Sequence, residues 1–195
     1  MPQPSIRDGV MRRLTVADRT GLRDHLLRLD EQSRRSRFGM EASDDFLAAY
    51  AQRCFGIDDV IYGFVVEGVV RAAGELRGIG YNLPLGLGAN AEAAFSVDGA
   101  WRRQGLGAQL MGRIVRAARN RRARTLYMAC LANNEPMLRL ARKFSADLRF
   151  EPQTADGKIA PLAPTTATFL DEVADDVAGF ATAMMDLRRR SFAMP

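Results

Sequence analysis

Lysine is scarce in this 195-residue chain, occurring only at 143 and 158, and histidine and tryptophan occur once each, as His25 and Trp101. The net charge of +5 therefore comes almost entirely from arginine. One histidine and two distant cysteines, Cys54 and Cys130, without a Cys-x-x-Cys spacing, exclude the usual zinc ligand sets and leave no metal site to expect. The same shortage argues against a Cys–His nucleophile, so two buried, reduced thiols are expected. No apolar run is long enough to cross a bilayer, and residues 1–10 lack the apolar core of a secretory signal. The expectation is a cytoplasmic protein that does not engage a membrane.

Hydrophobic periodicity divides the chain clearly. Val10 to Leu14 reads as a strand, and Thr15 to Asp18 as a capping box leading into a helix with Leu22, Leu26 and Leu29 on one face. Asp30 to Phe38 reads as a charged turn. A helix follows from Ser43, with Phe46, Leu47 and Tyr50 inward. Val60 to Glu67 and Val69 to Leu76 form a hairpin about Gly68, Gly78 to Asn90 reads as loop, and Ala91 to Val97 as a strand. After a helix over 108–119 and a strand over 125–131, Asn133 or Asn134 caps a helix whose Pro136 fits its first turn. Asp156-Gly157 suggests the turn of a last hairpin. A final helix carries Phe169, Leu170, Val173, Val177, Phe180, Met184 and Leu187 at helical spacing. That stripe is expected to cover its own domain or to contact another subunit.

The stretch Trp101-Arg102-Arg103-Gln104-Gly105-Leu106-Gly107-Ala108 joins a strand to a helix. Glycines let the main chain approach a phosphate closely, and the first N–H groups of a helix are unpaired and carry the positive end of its dipole. A third glycine is missing for a dinucleotide fingerprint, and Gly-Lys-Ser/Thr is absent for a Walker loop. What Arg102 to Gly107 do match is Arg/Gln-x-x-Gly-x-Gly/Ala. That pattern resembles the acyl-CoA pyrophosphate loop of the GNAT superfamily of N-acyltransferases.

The resemblance extends over roughly residues 8–165, in the order β-α-α-β-β-β-α-β-α-β-β. It implies an α/β (α+β) fold with a mixed, splayed sheet flanked by helices; beyond it, residues 166–195 are expected to form a helical extension packed on the domain or on a partner subunit. It also implies that acetyl-CoA enters where the strands at 91–97 and 125–131 part. The pantetheine arm would pair with Phe95 and Val97. The pyrophosphate would rest on Gln104, Gly105, Leu106, Gly107 and Ala108, with Arg102 and Arg103 adding charge. In Ala91-Glu92-Ala93-Ala94-Phe95-Ser96-Val97 the chain is similar to bacterial protein-lysine acetyltransferases, whose Glu at this place is a general base, often through water. Glu92 is accordingly the expected catalytic base, with Glu75 in reserve. Chemistry asks for one, because an ammonium must lose a proton before it attacks a thioester, and partial burial would raise the carboxyl toward that task.

Two further stretches resemble the family. Asn134 to Ala146 is similar to the helix after its fifth strand, with Asn134, Leu140 and Lys143 matching. Ala141, however, stands where many members place a tyrosine that protonates the departing thiolate. Ser33 to Phe38 resembles a Ser-x-x-x-Arg-Phe turn that lines the acceptor side. The implied activity is transfer of an acetyl group to a primary amine, on a protein lysine or a small molecule, within a ternary complex. Two other readings stand beside it. One is a catalytically silent acyl-CoA-binding regulatory module. The other is nucleic-acid binding through Arg102, Arg103, Arg113, Arg116, Arg119, Arg121, Arg122 and Arg124, which lack interleaved exposed aromatics.

Overall fold

A computed structural model describes residues 5–56, 59–79 and 90–192. Its first half runs β1 (Val10–Arg13), α1 (Arg19–Leu27), α2 (Glu31–Phe38), α3 (Asp44–Arg53), β2 (Val60–Val66), β3 (Val69–Ile79) and β4 (Asn90–Val97). The second half runs α4 (Leu106–Asn120), β5 (Thr125–Leu131), α5 (Glu135–Lys143), β6 (Asp147–Phe150), β7 (Thr154–Ile159) and α6 (Thr166–Phe192). One seven-stranded sheet forms in the order β1-β2-β3-β4-β5-β7-β6. Every neighbouring pair is antiparallel except β4–β5, which is parallel. Most of the expected loop after Gly78 lies outside the described residues.

The sheet is covered on both faces. Leu106, Leu110, Met111 and Ile114 of α4 pack on Tyr62, Phe64, Leu76 and Leu126. On the other face Leu22 and Leu26 of α1 and Leu47 and Ala51 of α3 pack on Ile61, Val65, Val70 and Ala73. β2 is buried at every position, as its unbroken apolar run requires.

Two expectations are corrected and a third is narrowed. The charged segment after Asp30 is a helix, not a turn. The Asp30 side chain accepts from the Ser33 N–H at 2.7 Å, and Gly39 closes α2 in the left-handed region at φ 71. Local caps make this helix; no apolar stripe announces it. Arg34 then donates to the Leu27 and Leu29 carbonyls at 2.7 and 3.0 Å, tying α2 to the end of α1.

The last hairpin turns at residues 151–153, and Asp156 and Gly157 lie inside β7. Gly157 serves packing there, since a Cβ would meet Met128 Cε at 3.3 Å. In α5 the fully buried residues are Leu138 and Ala141, while Met137, Leu140 and Phe144 are partly covered.

For α6 two directions were expected, and the domain's own body is not the one its stripe takes. The apolar stripe faces away from the body: Phe169, Leu170, Val173, Val177, Phe180 and Met184 are 47–68% exposed. (The Leu187 side chain lies outside the described ones.) The inner face is polar. Glu172 accepts from Asn120 at 2.6 Å and from Arg121 at 2.7 Å, Asp175 pairs with Arg116 and Arg113, and Asp176 pairs with Arg13. Arg119 donates to the Ala163 carbonyl at 2.6 Å. Three of the eight arginines considered for nucleic acid, Arg113, Arg116 and Arg121, are thus paired with α6.

Candidate active site

The parallel pairing of β4 and β5 covers only Asn90↔Thr125, Ala91↔Leu126 and Glu92↔Tyr127. Beyond Glu92 the strands part, β4 staying with β3 and β5 with β7. The Asp98 N–H donates to the Arg71 carbonyl at 2.8 Å. Antiparallel pairs alternate the side to which their backbone groups point, so Val97, Phe95 and Ala93 turn theirs toward the opening. A ready-made strand edge inside the sheet results.

At the end of that edge lies the loop. Arg103 has φ 64 and Gly105 φ 83, which folds the chain so that successive N–H groups face the same space. Among the described residues, no acceptor pairs with the N–H groups of Arg103, Gln104, Gly105, Leu106 and Gly107. Ala108, expected to share in this cradle, instead donates to the Gly105 carbonyl at 3.1 Å. Arg102 is also otherwise engaged, donating to Asp30 at 2.9 Å, to the Ser33 hydroxyl and to the Val97 carbonyl at 3.3 Å. Arg103 is exposed and carries no ion pair among the described residues, so it is the free cation of the loop.

The two glycines differ. A Cβ at Gly107 would meet only Leu140 Cδ2, at an ordinary 3.7 Å, whereas Gly105 needs its positive φ. We expect Gly105→Val to weaken acetyl-CoA binding at least about tenfold, because a β-branched residue is an outlier in that conformation. Gly107→Ala should leave binding within about twofold, since its methyl needs no backbone change. Titration calorimetry on both variants decides it, and equal losses would contradict this division.

Between the parted strands lies a cavity of about 200 Å³, roofed by Ser36 to Gly39 at the end of α2. Glu92 lies on β4 and Asp156 on β7, on the cavity's two sides. Neither is ion-paired among the described residues, and Glu92 is exposed rather than half-buried as expected. Asp156 was missed because Asp-Gly was read as a turn. Phe95 lines the cavity too, and so does Asn134, whose Oδ1 accepts from the Met137 N–H at 3.2 Å and caps α5. Cys130 is in the wall, not in the core. Burial, followed by Asp156, pushes its thiol up, away from nucleophilic use.

Residues 24–146 match the family model described as "Acetyltransferase (GNAT) family". The chain belongs to the GNAT family of acetyltransferases. No curated protein matches it in sequence. Among solved structures, the GNAT domain of S. lividans PAT is similar at 22% identity and TM-score 0.67, covering 77% of this chain and 89% of that one. An N-acetyltransferase from Staphylococcus aureus is 19% identical at TM-score 0.58, covering 79% and 99%. The protein yncA of Salmonella typhimurium, solved with its cofactor acetyl-CoA, is 16% identical at TM-score 0.60, covering 81% and 98%. These likenesses establish the GNAT fold.

Within this GNAT protein, Glu75 is not placed as a base. It is 1% exposed, pairs with Arg37 at 2.8 Å and Arg77 at 3.2 Å, and accepts from the Tyr50 hydroxyl at 2.8 Å. Burial opposes its charge, yet Arg37 and Arg77 hold the carboxyl below its ordinary range. Arg37 also stacks on Phe38, so the pair props the roof of the cavity.

The lone histidine has a place that sequence alone did not suggest. His25 Nε2 is 2.8 Å from Ser96 Oγ, and Nδ1 is 2.7 Å from Asp98 Oδ1. All three are buried, and none lines the cavity. The arrangement fastens α1 to β4 just before the loop.

Ala141 is buried against the core, so no hydroxyl is supplied from that position. No group of three or more potential metal ligands forms among the described residues, and no described helix is long and apolar enough to cross a membrane.

Proposed function

We propose that this GNAT protein transfers an acetyl group from acetyl-CoA to a primary amine, on a protein lysine or a small molecule, by direct attack in a ternary complex. The observation that carries the reading is the parting of β4 and β5 beside five N–H groups that have no acceptor among the described residues. Those residues fit the cofactor. A pantetheine arm is a chain of amides that can pair with Phe95 and Val97 as a strand would. A pyrophosphate suits the cradle from Arg103 to Gly107 with the Arg103 guanidinium beside it. When bound, acetyl-CoA supplies the electrophilic thioester carbonyl.

The protein's own residues then do four things. Glu92 and Asp156 draw a cationic acceptor into a cavity whose third charged lining residue, Arg37, is neutralised by Glu75. Glu92 takes the proton from the acceptor ammonium, directly or through water, freeing the lone pair. A backbone N–H near Val97, turned to the open edge, stabilises negative charge on the carbonyl oxygen. Phe95 and Met137 keep the site apolar around the reacting carbon. A protonating tyrosine is dispensable, because a thiol of pKa about 8.5 departs tolerably without one. Ala141 favours a second reading, an acyl-CoA-binding module without turnover.

Thermal unfolding with and without acetyl-CoA, against NADH and ATP as controls, tests the cofactor. At a hundredfold excess over the dissociation constant a specific ligand adds about 2.7 kcal/mol, a Tm rise of roughly 5–10 °C for a chain this size. No rise at millimolar acetyl-CoA would remove the proposal's support. A rise without thiol release from any amine would favour the silent module.

A further inference from the structure

Helix α6 is inverted relative to an ordinary surface helix. Ion pairs and hydrogen bonds from Glu172, Asp175 and Asp176 hold its inner face to β1 and α4, and its apolar face is presented outward. We propose that this outward face is a two-fold interface with a second copy of the chain, the two α6 helices packing antiparallel about Val177.

Three features point to a second copy rather than another occupant. The first is sequence symmetry. Counted from Val177, the large apolar residues fall at −8 and −7 (Phe169, Leu170), −4 (Val173), +3 (Phe180), and +7 and +8 (Met184, Met185). A nearly palindromic stripe is what an isologous contact needs, because each residue must meet the patch that contains itself. Phe169 and Leu170 of one protomer then lie over Met185 and Met184 of the other, and flexible Met side chains fit around aromatic and branched ones.

The second is area. Seven side chains 47–68% exposed offer roughly 800 Å² per protomer, one partner's share of a standard interface and more than the usual largest apolar patch on a monomer. The third is the charge pattern. Between Val173 and Met185, every outward position is uncharged, including the small Ala174 and Ala181 that allow close approach between helices. A helix lying on a lipid surface would carry basic residues along its flanks, whereas this one shows Asp171 at its exposed flank, buries Glu172, and pairs Asp175 and Asp176 with arginines of its own body.

Sedimentation velocity at micromolar concentration tests the proposal. The full chain should sediment at twice 21.5 kDa, Val177→Arg as a single chain, and the remote exposed substitution Glu67→Arg as two. Circular dichroism and the Tm rise produced by acetyl-CoA should be unchanged in Val177→Arg, although the Tm itself falls with loss of the dimer. Orientation is read by cysteine crosslinking. Val177→Cys meets its own copy at the axis and should form a covalent dimer on oxidation. Leu170→Cys lies 14 residues, about 21 Å, from its copy in an antiparallel pair and should not. If Val177→Arg fails to fold, the crosslinks decide alone. A wild-type chain that stays monomeric, or floats with phosphatidylcholine vesicles, overturns the proposal. Crosslinking through Leu170→Cys instead of Val177→Cys overturns the antiparallel arrangement. None of these readouts depends on catalysis, so failure here is separable from failure of the acetyltransferase reading.

Discussion

Glu92→Gln should slow acetyl transfer by about 10²–10⁴ while leaving acetyl-CoA affinity unchanged, the usual weight of a general base. The expectation rests on position. Glu92 is the last residue of β4 paired with β5, so its side chain stands where the two strands begin to open, under the roof made by α2. Glutamine keeps the size and hydrogen-bonding capacity of the side chain but cannot accept a proton from an ammonium. Steady-state kinetics with calorimetric titration of acetyl-CoA separates the two effects. Unchanged turnover would remove Glu92 from the mechanism and leave Asp156 as the carboxylate to test.

Glu75→Ala should destabilise the protein by about 3–5 kcal/mol, because removing one partner of a buried ion pair strands the other charges. Here it strands two guanidinium groups, with Arg37 only 9% exposed at its side chain. For a chain of this size the expected fall in Tm is about 6–20 °C. The pH dependence has a definite sign. The folded-state carboxyl is held below its ordinary value of 4.5, so its contribution is complete above pH 4.5 and is lost as pH falls through the folded value. Wild type and variant should therefore differ most at neutral pH and converge in acid. Melts at neutral pH and below pH 4.5 check both points; a difference under about 1 kcal/mol at neutral pH would show that the arginines find other partners.

The parts of the fold that the sequence announces are those where local chemistry and burial agree. Thr15 and Asp18, Ser43, and Asn134 with Pro136 mark helix starts that the structure contains. Val60 to Glu67 and Thr125 to Leu131 read as strands from their apolar runs; β2 is buried throughout, and β5 buries Leu126 and Met128 on one face. The glycine-bearing turn was legible for the same reason, since Gly105 satisfies a conformation that few residues accept. The misreadings also share a cause. α2 has no apolar stripe and is held by Asp30, Gly39 and Arg34, contacts that periodicity does not register. Asp156-Gly157 looks like a turn locally, but Gly157 is small because Met128 and Leu148 press on it from neighbouring elements. In α6 the stripe is legible in the sequence, but its direction is left open between the domain's own body and another subunit. Periodicity locates an apolar face without saying what lies against it, and the arginines of α4 and β1 capture the acidic face instead.

The two sides of the cleft are built from different material. On the proposed reading the donor side is backbone: the free edge of β4 and the N–H groups from Arg103 to Gly107, the same peptide chemistry under most side chains as long as Gly105 keeps its positive φ. The acceptor side is side chains: Ser36, Phe38, Cys130, Thr154 and Asp156. Mutation changes side chains and leaves the peptide unit alone. If the proposed function holds, drift in the gene can exchange one acceptor for another while the backbone cradle, Gly105 apart, stays as it is, so acceptor preference would be the freely evolvable property of this scaffold.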